Sequence, residues 1–389
     1  MVGRLKQLRL ARGLSLEDLA AEMGGIVTRQ ALSKYELGLS KPSALVLNRL
    51  AGALGVKAAY LWSEPSIHCK FIAYRKGTGL AKTEQQRVES VVCQMLEDRV
   101  RLQQMIQGTT EVDLPVKGFK VRTIEDTEDF AKGLRYKWNL GLGPIPTVTG
   151  TLEDRFVHVF EIEASQRFDG ISAVAYDSEK HVAAAAVVSR KSLPGGRQRL
   201  NLAHELGHLV LDMPKNLDEE KVAFRFAGAF LAPDEVLFRE LGQKRSLVQA
   251  AELFLLKQKY GMSIQSLVYR LHDLGVISDQ HHKQWWMTIN REGWKKEEPL
   301  ELKPEKSEWL KKNVLRALSE GFITKGDAMK ALGESVEVQE PITLVERQAF
   351  LKLPIEERRK IMAKQAKEMA ADYKTGKMED LETGEILEY

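Results

Sequence analysis

Residues 200–211 read LNLAHELGHLVL and contain the pattern H-E-x-x-H as His204-Glu205-Leu206-Gly207-His208. The apolar residues around the pattern predict a helix packed inside a domain. On such a helix His204 and His208 lie one turn apart and face the same way. Two imidazoles in this position can meet one tetrahedral zinc ion at about 2.0–2.1 Å, and Glu205 projects from the same turn as a general base. The stretch therefore predicts a zinc site of the hydrolytic type.

The segment that follows offers the third protein ligand that a catalytic zinc site needs beside one open position. Residues 218–233 read DEEKVAFRFAGAFLAP, which predicts a second amphipathic helix that begins with acidic residues. Glu220 lies on its inner face, whereas Glu219 lies about 100° round the helix, so both cannot face the metal. Asp212 and Asp218 are weaker candidates. The predicted ligands are therefore His204, His208 and Glu220.

Residues 1–62 concentrate positive charge, with nine Lys/Arg against four Asp/Glu, while the whole chain carries +4. Such an excess is typical of a surface that binds phosphate. Ser15 and Thr28 are placed to cap two short helices separated by Gly24-Gly25. Two such helices joined by a tight turn form a helix-turn-helix, whose recognition helix, here residues 28–37, enters the major groove of DNA. The predicted DNA-contacting residues are Thr28, Arg29, Gln30, Ser33 and Lys34, with Lys41 in the following loop.

The stretch TRQALSKYELGLSKPS (28–43) resembles the third helix and following loop of lambda-repressor-like (Xre-family) DNA-binding domains. The likeness runs from residue 4 to about residue 62. It implies double-stranded operator DNA as a partner. It also implies a homodimer, because repressor-type modules read two half-sites about one DNA turn apart. A small helical bundle with a solvated basic face is the alternative interpretation.

The middle of the chain predicts a bridge and then a sheet. Residues 66–76 (SIHCKFIAYRK) predict a short strand, and Lys82–Gln107 predicts a long amphipathic helix. Three runs rich in Val and Ile follow, FVHVFEIE, ISAVAYDS and HVAAAAVVS, and predict a small antiparallel sheet. His158 in the first run and Cys93 in the long helix are interpreted as packing residues rather than ligands.

The stretch from about residue 134 to residue 274 resembles the ImmA/IrrE family of zinc metallopeptidases. The matching segments are GLGPIPTV, FDGISAVAY, RLNLAHELGHLVLD and the E-x-x-A-x-x-F-A helix. The resemblance implies Zn2+ as cofactor and cleavage of a repressor-type partner protein, which relieves repression. It assigns the catalytic base to Glu205 and the zinc ligands to His204, His208 and Glu220.

Two departures from that family fall near the site. Phe224 stands where the family commonly has Asn, and Phe-Leu-Ala-Pro at 230–233 replaces its usual Leu-Leu-Met-Pro. These changes touch packing more than metal chemistry, and they leave the form of the substrate groove open.

The composition changes after about residue 290. Residues 291–308 form a mixed-charge stretch with two prolines that is typical of a surface linker, and Ser307–Leu332 predicts a helical pair turned at Gly321. Residues 342–389 resemble small antitoxin-like proteins that carry L-P-x-E-E-R-R-x-I-x-x-x-Q-A and end in an acidic, Tyr-terminated strand. This resemblance implies that a toxin or another paired protein docks there. The alternative is a solvated helix with a frayed tail.

The predicted fold is multidomain and mainly α. A lambda-repressor-like helical domain precedes an α+β zincin-like metallopeptidase domain with a small antiparallel sheet, and a helical extension follows. The predicted segments are 1–65 (helix-turn-helix domain), 66–120 (linker strand and long helix), 121–290 (metallopeptidase domain), 291–335 (charged linker and helical pair) and 336–389 (antitoxin-like helical tail).

Composition excludes several classes of protein. The 389 residues are 43% hydrophobic and 29% charged, as in globular proteins, and no apolar run approaches the ~18–20 residues of a membrane span. The first residues, MVGRLKQLRLARG, have no apolar stretch behind them and predict no signal peptide. Only Cys69 and Cys93 are present, which excludes a disulfide framework or a Cys-based zinc cluster. A reducing, cytoplasmic setting is therefore expected.

Two functions remain open on these grounds. In the first, a zinc endopeptidase is placed at a promoter by its DNA-binding domain and cleaves itself or a neighbouring protein, in a phage-derived or toxin–antitoxin and stress-response setting. In the second, the chain is a non-proteolytic Xre-type repressor or antitoxin whose zinc domain is structural or sensory. Glu205 favours the first, because a structural zinc site needs no base and is usually closed by four protein ligands.

Overall fold

The structure is a computed structural model that describes residues 3–74, 81–108, 112, 114–164, 168, 170–337, 350 and 352–374. It divides into two compact units, Met1–Leu332 and Gly333–Tyr389. In the second unit, the described part of the antitoxin-like tail contains a single long helix, Ile355–Lys374. Residues 342–349 and the acidic, Tyr-terminated end of that tail lie outside the described residues.

Five short helices form the N-terminal part of the first unit. They are α1 (Arg4–Ala11), α2 (Leu16–Glu22), α3 (Arg29–Glu36), α4 (Ala44–Ala53) and α5 (Ala58–Trp62). Local capping chemistry sets the starts of α2 and α3, as the sequence predicts. Ser15 and Asp18 exchange hydrogen bonds in a capping box before α2, and the Thr28 hydroxyl accepts from the Ala31 N–H before α3. The apolar faces of the five helices enclose a separate small core.

Among the described residues in the rest of this unit, six strands make two sheets. They are β1 (His68–Tyr74), β2 (Phe119–Lys120), β3 (Val157–Ile162), β4 (Gly170–Tyr176), β5 (Val182–Arg190) and β6 (Leu211–Asp212). The larger sheet has the order β1-β4-β5-β3, and β2 pairs with β6 in parallel. The β1–β4 and β4–β5 pairs are antiparallel, but β3 and β5 run parallel, so the sheet is mixed and not antiparallel throughout. Both β3 and β5 are almost completely buried, which is the environment of parallel pairs.

Helices cover both faces of the larger sheet. Of the helices that follow β1 in the described part of this unit, α6, α8 and α9 contact this sheet. In chain order these helices are α6 (Lys82–Gln107), α7 (Asp126–Lys137), α8 (Val148–Glu153), α9 (Gly195–Val210), α10 (Glu219–Leu231), α11 (Asp234–Leu241), α12 (Ala250–Tyr260), α13 (Ile264–Asp273), α14 (Asp279–Arg291), α15 (Trp309–Ser319) and α16 (Lys325–Leu332). Ala184, Ala186 and Val188 of β5 pack towards α6, and the alternate residues Ala185 and Val187 share a core with α9 and α10. Among the described residues, no helix has the length and apolar character needed to cross a membrane.

Strand β1 and helix α6, which the sequence predicts as a bridge, are integral to this packing. Strand β1 pairs with β4 at the edge of the sheet. Helix α6 contacts the sheet through the stripe that includes Val92 and Leu96, and α1 packs along it. Where α1 meets α6, the buried guanidinium of Arg4 donates to both carboxylate oxygens of Glu97. The long helix therefore joins the N-terminal helices to the sheet.

The charged stretch after α14 lies against the sheet domain. We call residues 295–308 the strap. Its Glu298 is buried, and accepts from the Lys257 ammonium at 2.9 Å and from the Ile264 N–H at 2.8 Å. Its Leu302 carbonyl accepts from the Gly195 N–H at 2.9 Å, and a Cβ at 195 would lie only 2.3 Å from the next carbonyl oxygen of the strap. Gly195 therefore lets the strap cross the start of α9.

A second carboxylate of the strap, Glu305, is also enclosed. It accepts from the Val148 N–H at 3.0 Å and the Thr149 N–H at 2.6 Å at the start of α8, and it pairs with the Arg199 guanidinium of α9. Burial would raise the pKa of Glu305, but the Thr149 N–H and the Arg199 charge outweigh burial and hold this pKa below its usual range. The strap is therefore fixed to the helix that carries the H-E-x-x-H pattern.

Candidate metal centre and nucleic-acid interface

Helix α9 presents its two histidines as a pair, as the sequence predicts. Both His204 and His208 are buried, and their ring centroids lie 4.7 Å apart. Their Nε2 atoms are 3.2 Å apart, so the two rings direct the same nitrogen to one point. Lys117, in the turn before β2, holds the end of this helix, because its backbone N–H donates to the Leu209 carbonyl and its ammonium to the Leu211 carbonyl.

Helix α10 brings Glu220 to the histidine pair. Asp218 caps this helix by accepting from the Glu220 N–H, which fixes the residue in the first turn. Glu220 Oε2 lies 3.4 Å from His204 Nε2, and Glu220 Oε1 lies 3.5 Å from His208 Nε2. Hydrogen bonds with the two rings hold the pKa of Glu220 well below its usual range.

The three donors fit a zinc ion by geometry. Ligands at about 2.0–2.1 Å around a tetrahedral ion lie about 3.3 Å from one another, and the observed sides of the triangle are 3.2, 3.4 and 3.5 Å. Within the part of the chain that the structure describes, this trio is the one set of three His, Cys or acidic side chains close enough to share a metal. Glu219, Asp212 and Asp218 are not part of it.

Glu205 is buried beside this triangle and lies against the start of β4. A Cβ at Gly170 would stand 2.6 Å from Glu205 Oε1 and 3.1 Å from its Cδ, so only glycine leaves room for the carboxylate in this position. Gly170 lies within FDGISAVAY, but no pattern in that stretch marks it as a neighbour of Glu205. Lys117 was missed as well, since no local pattern marks its contact with α9.

Helix α10 also places an aromatic ring at the metal site. Phe224 lies one turn after Glu220, and its ring centroid is 4.1 Å from that of His204. Phe224 is 38% exposed, while Phe226 and Phe230 of the same helix are fully buried. The start of β4 thus bounds the site beside Glu205, and the Phe224 ring bounds it beside Glu220.

The predicted recognition helix is α3, and its polar side chains face solvent. Arg29, Gln30 and Lys34 are exposed, and Ser33 is half-buried. The Thr28 hydroxyl caps the helix, so this residue helps to position α3. The six predicted DNA-contacting residues lie on α3, at its N-cap or in the loop that follows, where Lys41 is exposed.

Buried charge holds α3 in place. The Arg9 guanidinium of α1 donates to both oxygens of Glu36 at 2.6 and 3.0 Å, and to the Leu14 carbonyl at 2.7 Å. Arg29 pairs with Glu17 at 2.7 Å, with both side chains exposed. An exposed pair of this kind contributes little to stability, so the Arg29 guanidinium can exchange its partner for a base or a phosphate.

Comparisons with known proteins find matches in two parts of the chain. Residues 5–61 match the helix-turn-helix family, and residues 170–272 match a peptidase family described as the IrrE N-terminal-like domain. The chain carries a helix-turn-helix domain and an IrrE N-terminal-like domain. The SPbeta prophage-derived uncharacterized HTH-type transcriptional regulator YonR of Bacillus subtilis (strain 168) is 38% identical over 58 residues, which are 15% of this chain and 52% of that protein. The chain thus matches about half the length of that relative.

The two matches contain the residues of the two sites. The IrrE N-terminal-like match includes the His204–His208–Glu220 triangle and Glu205, and it begins at Gly170. The helix-turn-helix match includes all six predicted DNA-contacting residues. Strands β1 and β3, helix α6 and the strap lie outside both matches, although they complete the sheet and its covering.

Proposed function

We propose that this chain is a DNA-binding transcription regulator that carries a zinc-dependent endopeptidase. The observation that supports the peptidase is the triangle of His204, His208 and Glu220, with Glu205 buried beside it. This set supplies three side chains that can ligate a metal and a further carboxylate, Glu205, that is not one of the ligands. A structural zinc site would need a fourth protein ligand, and the described residues place none at this triangle.

The proposed chemistry follows from the positions of these side chains. When bound, zinc acts as a Lewis acid that lowers the pKa of a coordinated water to about 7 and polarises a carbonyl. Glu205 accepts the proton of the attacking water at its carboxylate and returns it to the nitrogen of the leaving amine. Gly170 leaves the space that Glu205 occupies, and Lys117 secures the end of the helix that carries the ligands.

The proposed DNA site is the exposed surface of α3. Arg29 suits the edge of guanine and Gln30 that of adenine, while Lys34 and Lys41 suit phosphates. The buried Arg9–Glu36 pair keeps the helix in a fixed orientation for reading a groove. A homodimer on double-stranded operator DNA is part of this proposal, since such helices read two half-sites about one turn apart.

The proposed substrate is a repressor-type protein, which is either this chain or a neighbouring gene product. The relative named above is described as prophage-derived, which supports a phage-derived setting. A toxin–antitoxin setting and a cytoplasmic location are further parts of this proposal. The antitoxin-like resemblance of residues 336–389 makes a toxin a second proposed protein partner, with α17 (Ile355–Lys374) as the described part of that segment.

The test is cleavage by the purified full chain loaded with zinc, alone and with the products of neighbouring genes, with new termini identified by mass spectrometry. We expect a cut that Glu205→Gln abolishes while the zinc content, measured by atomic absorption, is unchanged. Glu220→Ala should lower the zinc content, and full occupancy in that variant would shift the third ligand to Glu219 or Asp218. Zinc binding without any cut would favour a non-proteolytic repressor or antitoxin.

DNA binding has its own test. Arg29→Ala with Lys34→Ala should weaken binding to a selected operator fragment at least about tenfold in a gel-shift assay, because two contacts to the duplex are lost. Lys283→Ala with Lys312→Ala removes the same charge from exposed positions on α14 and α15 and should leave binding unchanged. Equal binding by both double variants would remove α3 from the reading role.

A further inference from the structure

Phe224 keeps part of its ring exposed beside the metal site. The later phenylalanines of α10, Phe226 and Phe230, are fully buried in the core, whereas Phe224 remains 38% exposed. A phenylalanine gains free energy by leaving water, so an exposed ring is informative where it is held beside a functional group. Here the ring is held against the imidazole of His204, at a centroid distance of 4.1 Å and an interplanar angle of 41°.

The position on the helix fixes what the ring can contact. Glu220 and Phe224 are four residues apart on α10 and therefore lie on one face, which is the face directed at the histidine pair. A peptide whose scissile carbonyl is placed at this triangle would therefore have the Phe224 ring beside it on the α10 side. On the β4 side, Gly170 presents backbone alone, so it offers no comparable apolar surface.

We propose that Phe224 forms an apolar subsite beside the metal, and that this site selects protein segments with a large apolar or aromatic side chain next to the scissile bond. The inference rests on the proposed peptidase function and names its substrate class. An aromatic side chain gains both apolar burial and a favourable ring geometry against Phe224. A charged side chain in the same place would lose water without gaining a partner.

The test measures selectivity with a defined probe, a mixture of ten-residue peptides randomised around a central position. The full, zinc-loaded chain should cut peptides with Phe, Leu or Met beside the scissile bond at least about tenfold faster than those with Asp or Ser. Phe224→Asn should reduce this ratio to near one, and Phe224→Leu should keep most of it. Zinc content should be equal in all three proteins, which separates a subsite from a residue that only supports His204.

A second experiment measures peptide binding, so its result does not depend on catalytic turnover. Glu205→Gln protein, with and without Phe224→Asn, is incubated with the same peptides, and retained peptides are counted by mass spectrometry. Enrichment of apolar peptides that disappears with Phe224→Asn supports the subsite. The same enrichment in both proteins, or none in either, overturns it. If the wild-type chain cuts no peptide and no protein, the proposed peptidase fails, and the retained peptides still decide on the subsite.

Discussion

Replacing Arg4 by Met should destabilise the first unit by more than any exposed ion pair could. Arg4 and Glu97 are each only 1% exposed, and the guanidinium donates to both carboxylate oxygens, at 2.8 Å in the case of Oε1. It also donates to the Tyr60 hydroxyl at 3.1 Å and to the Glu64 carbonyl at 3.0 Å. Methionine has a similar length and no charge, so the change removes these bonds with little loss of volume.

The size of the effect follows from what remains around the carboxylate. Removing one partner of a buried pair costs about 3–5 kcal/mol, because the other charge stays buried. Glu97 keeps the Ser66 N–H at 3.0 Å and the Ser66 hydroxyl at 3.2 Å, which places the loss near the lower end, at about 3 kcal/mol. Burial favours a raised pKa at Glu97, and the Arg4 and Ser66 bonds at present hold that pKa below its usual range. Without Arg4 this pKa should rise.

The assay is urea unfolding of the full chain at pH 7, followed by circular dichroism. Arg4→Met should lower the free energy of unfolding by about 3 kcal/mol. Arg4→Met with Glu97→Met should recover most of this loss, since apolar replacement of a whole buried pair is often neutral. As a control, Arg291→Met breaks an exposed pair with Glu292 and should cost less than about 1 kcal/mol. A loss below 1 kcal/mol for Arg4→Met, or a double variant no more stable than the single one, would refute the reasoning.

Two further predictions concern the metal centre and the strap. Gly170→Ala should displace the Glu205 carboxylate and lower any cleavage rate at least about tenfold at unchanged zinc content, whereas Gly143→Ala, where a Cβ meets nothing within 4 Å, should be silent in the same assay. Glu305→Gln should weaken the dependence of the free energy of unfolding on pH in the acid range. The folded-state pKa of Glu305 lies below its usual 4.5, since Arg199 and backbone N–H donors outweigh burial. Its contribution is therefore present above pH 4.5 and lost as the pH falls through the folded-state pKa. Urea unfolding between pH 6 and pH 3 measures this, and equal pH dependence in both proteins would contradict it.

Local patterns predicted the parts of the fold that local chemistry determines. Ser15 and Thr28 cap helices where the sequence places them, and the amphipathic stripe gave the bounds of α6 as Lys82–Gln107. The prediction that the whole sheet is antiparallel was wrong, because β3 and β5 run parallel. Alternation of apolar residues shows which side chains are buried, but it does not show which strands are neighbours. Pairing between distant strands depends on the whole topology, which no short window contains.

At the candidate site, too, local spacing was predictable and long-range contacts were not. Helical spacing was enough to bring His204 and His208 together and to prefer Glu220 over Glu219. Gly170 comes from β4 and Lys117 from the turn before β2, so their contacts with Glu205 and with the end of α9 depend on packing that the sequence does not display.

The strap shows why a charged stretch can be part of a domain rather than a linker. A carboxylate leaves water only where partners replace it, and Glu298 and Glu305 find theirs in Lys257, Arg199 and four backbone N–H groups of α8 and α13. Those basic residues are themselves buried and would remain as uncompensated charges if the chain ended at residue 290. The peptidase-like domain therefore includes the strap, and the strap fixes the start of the same helix whose other end carries the metal ligands.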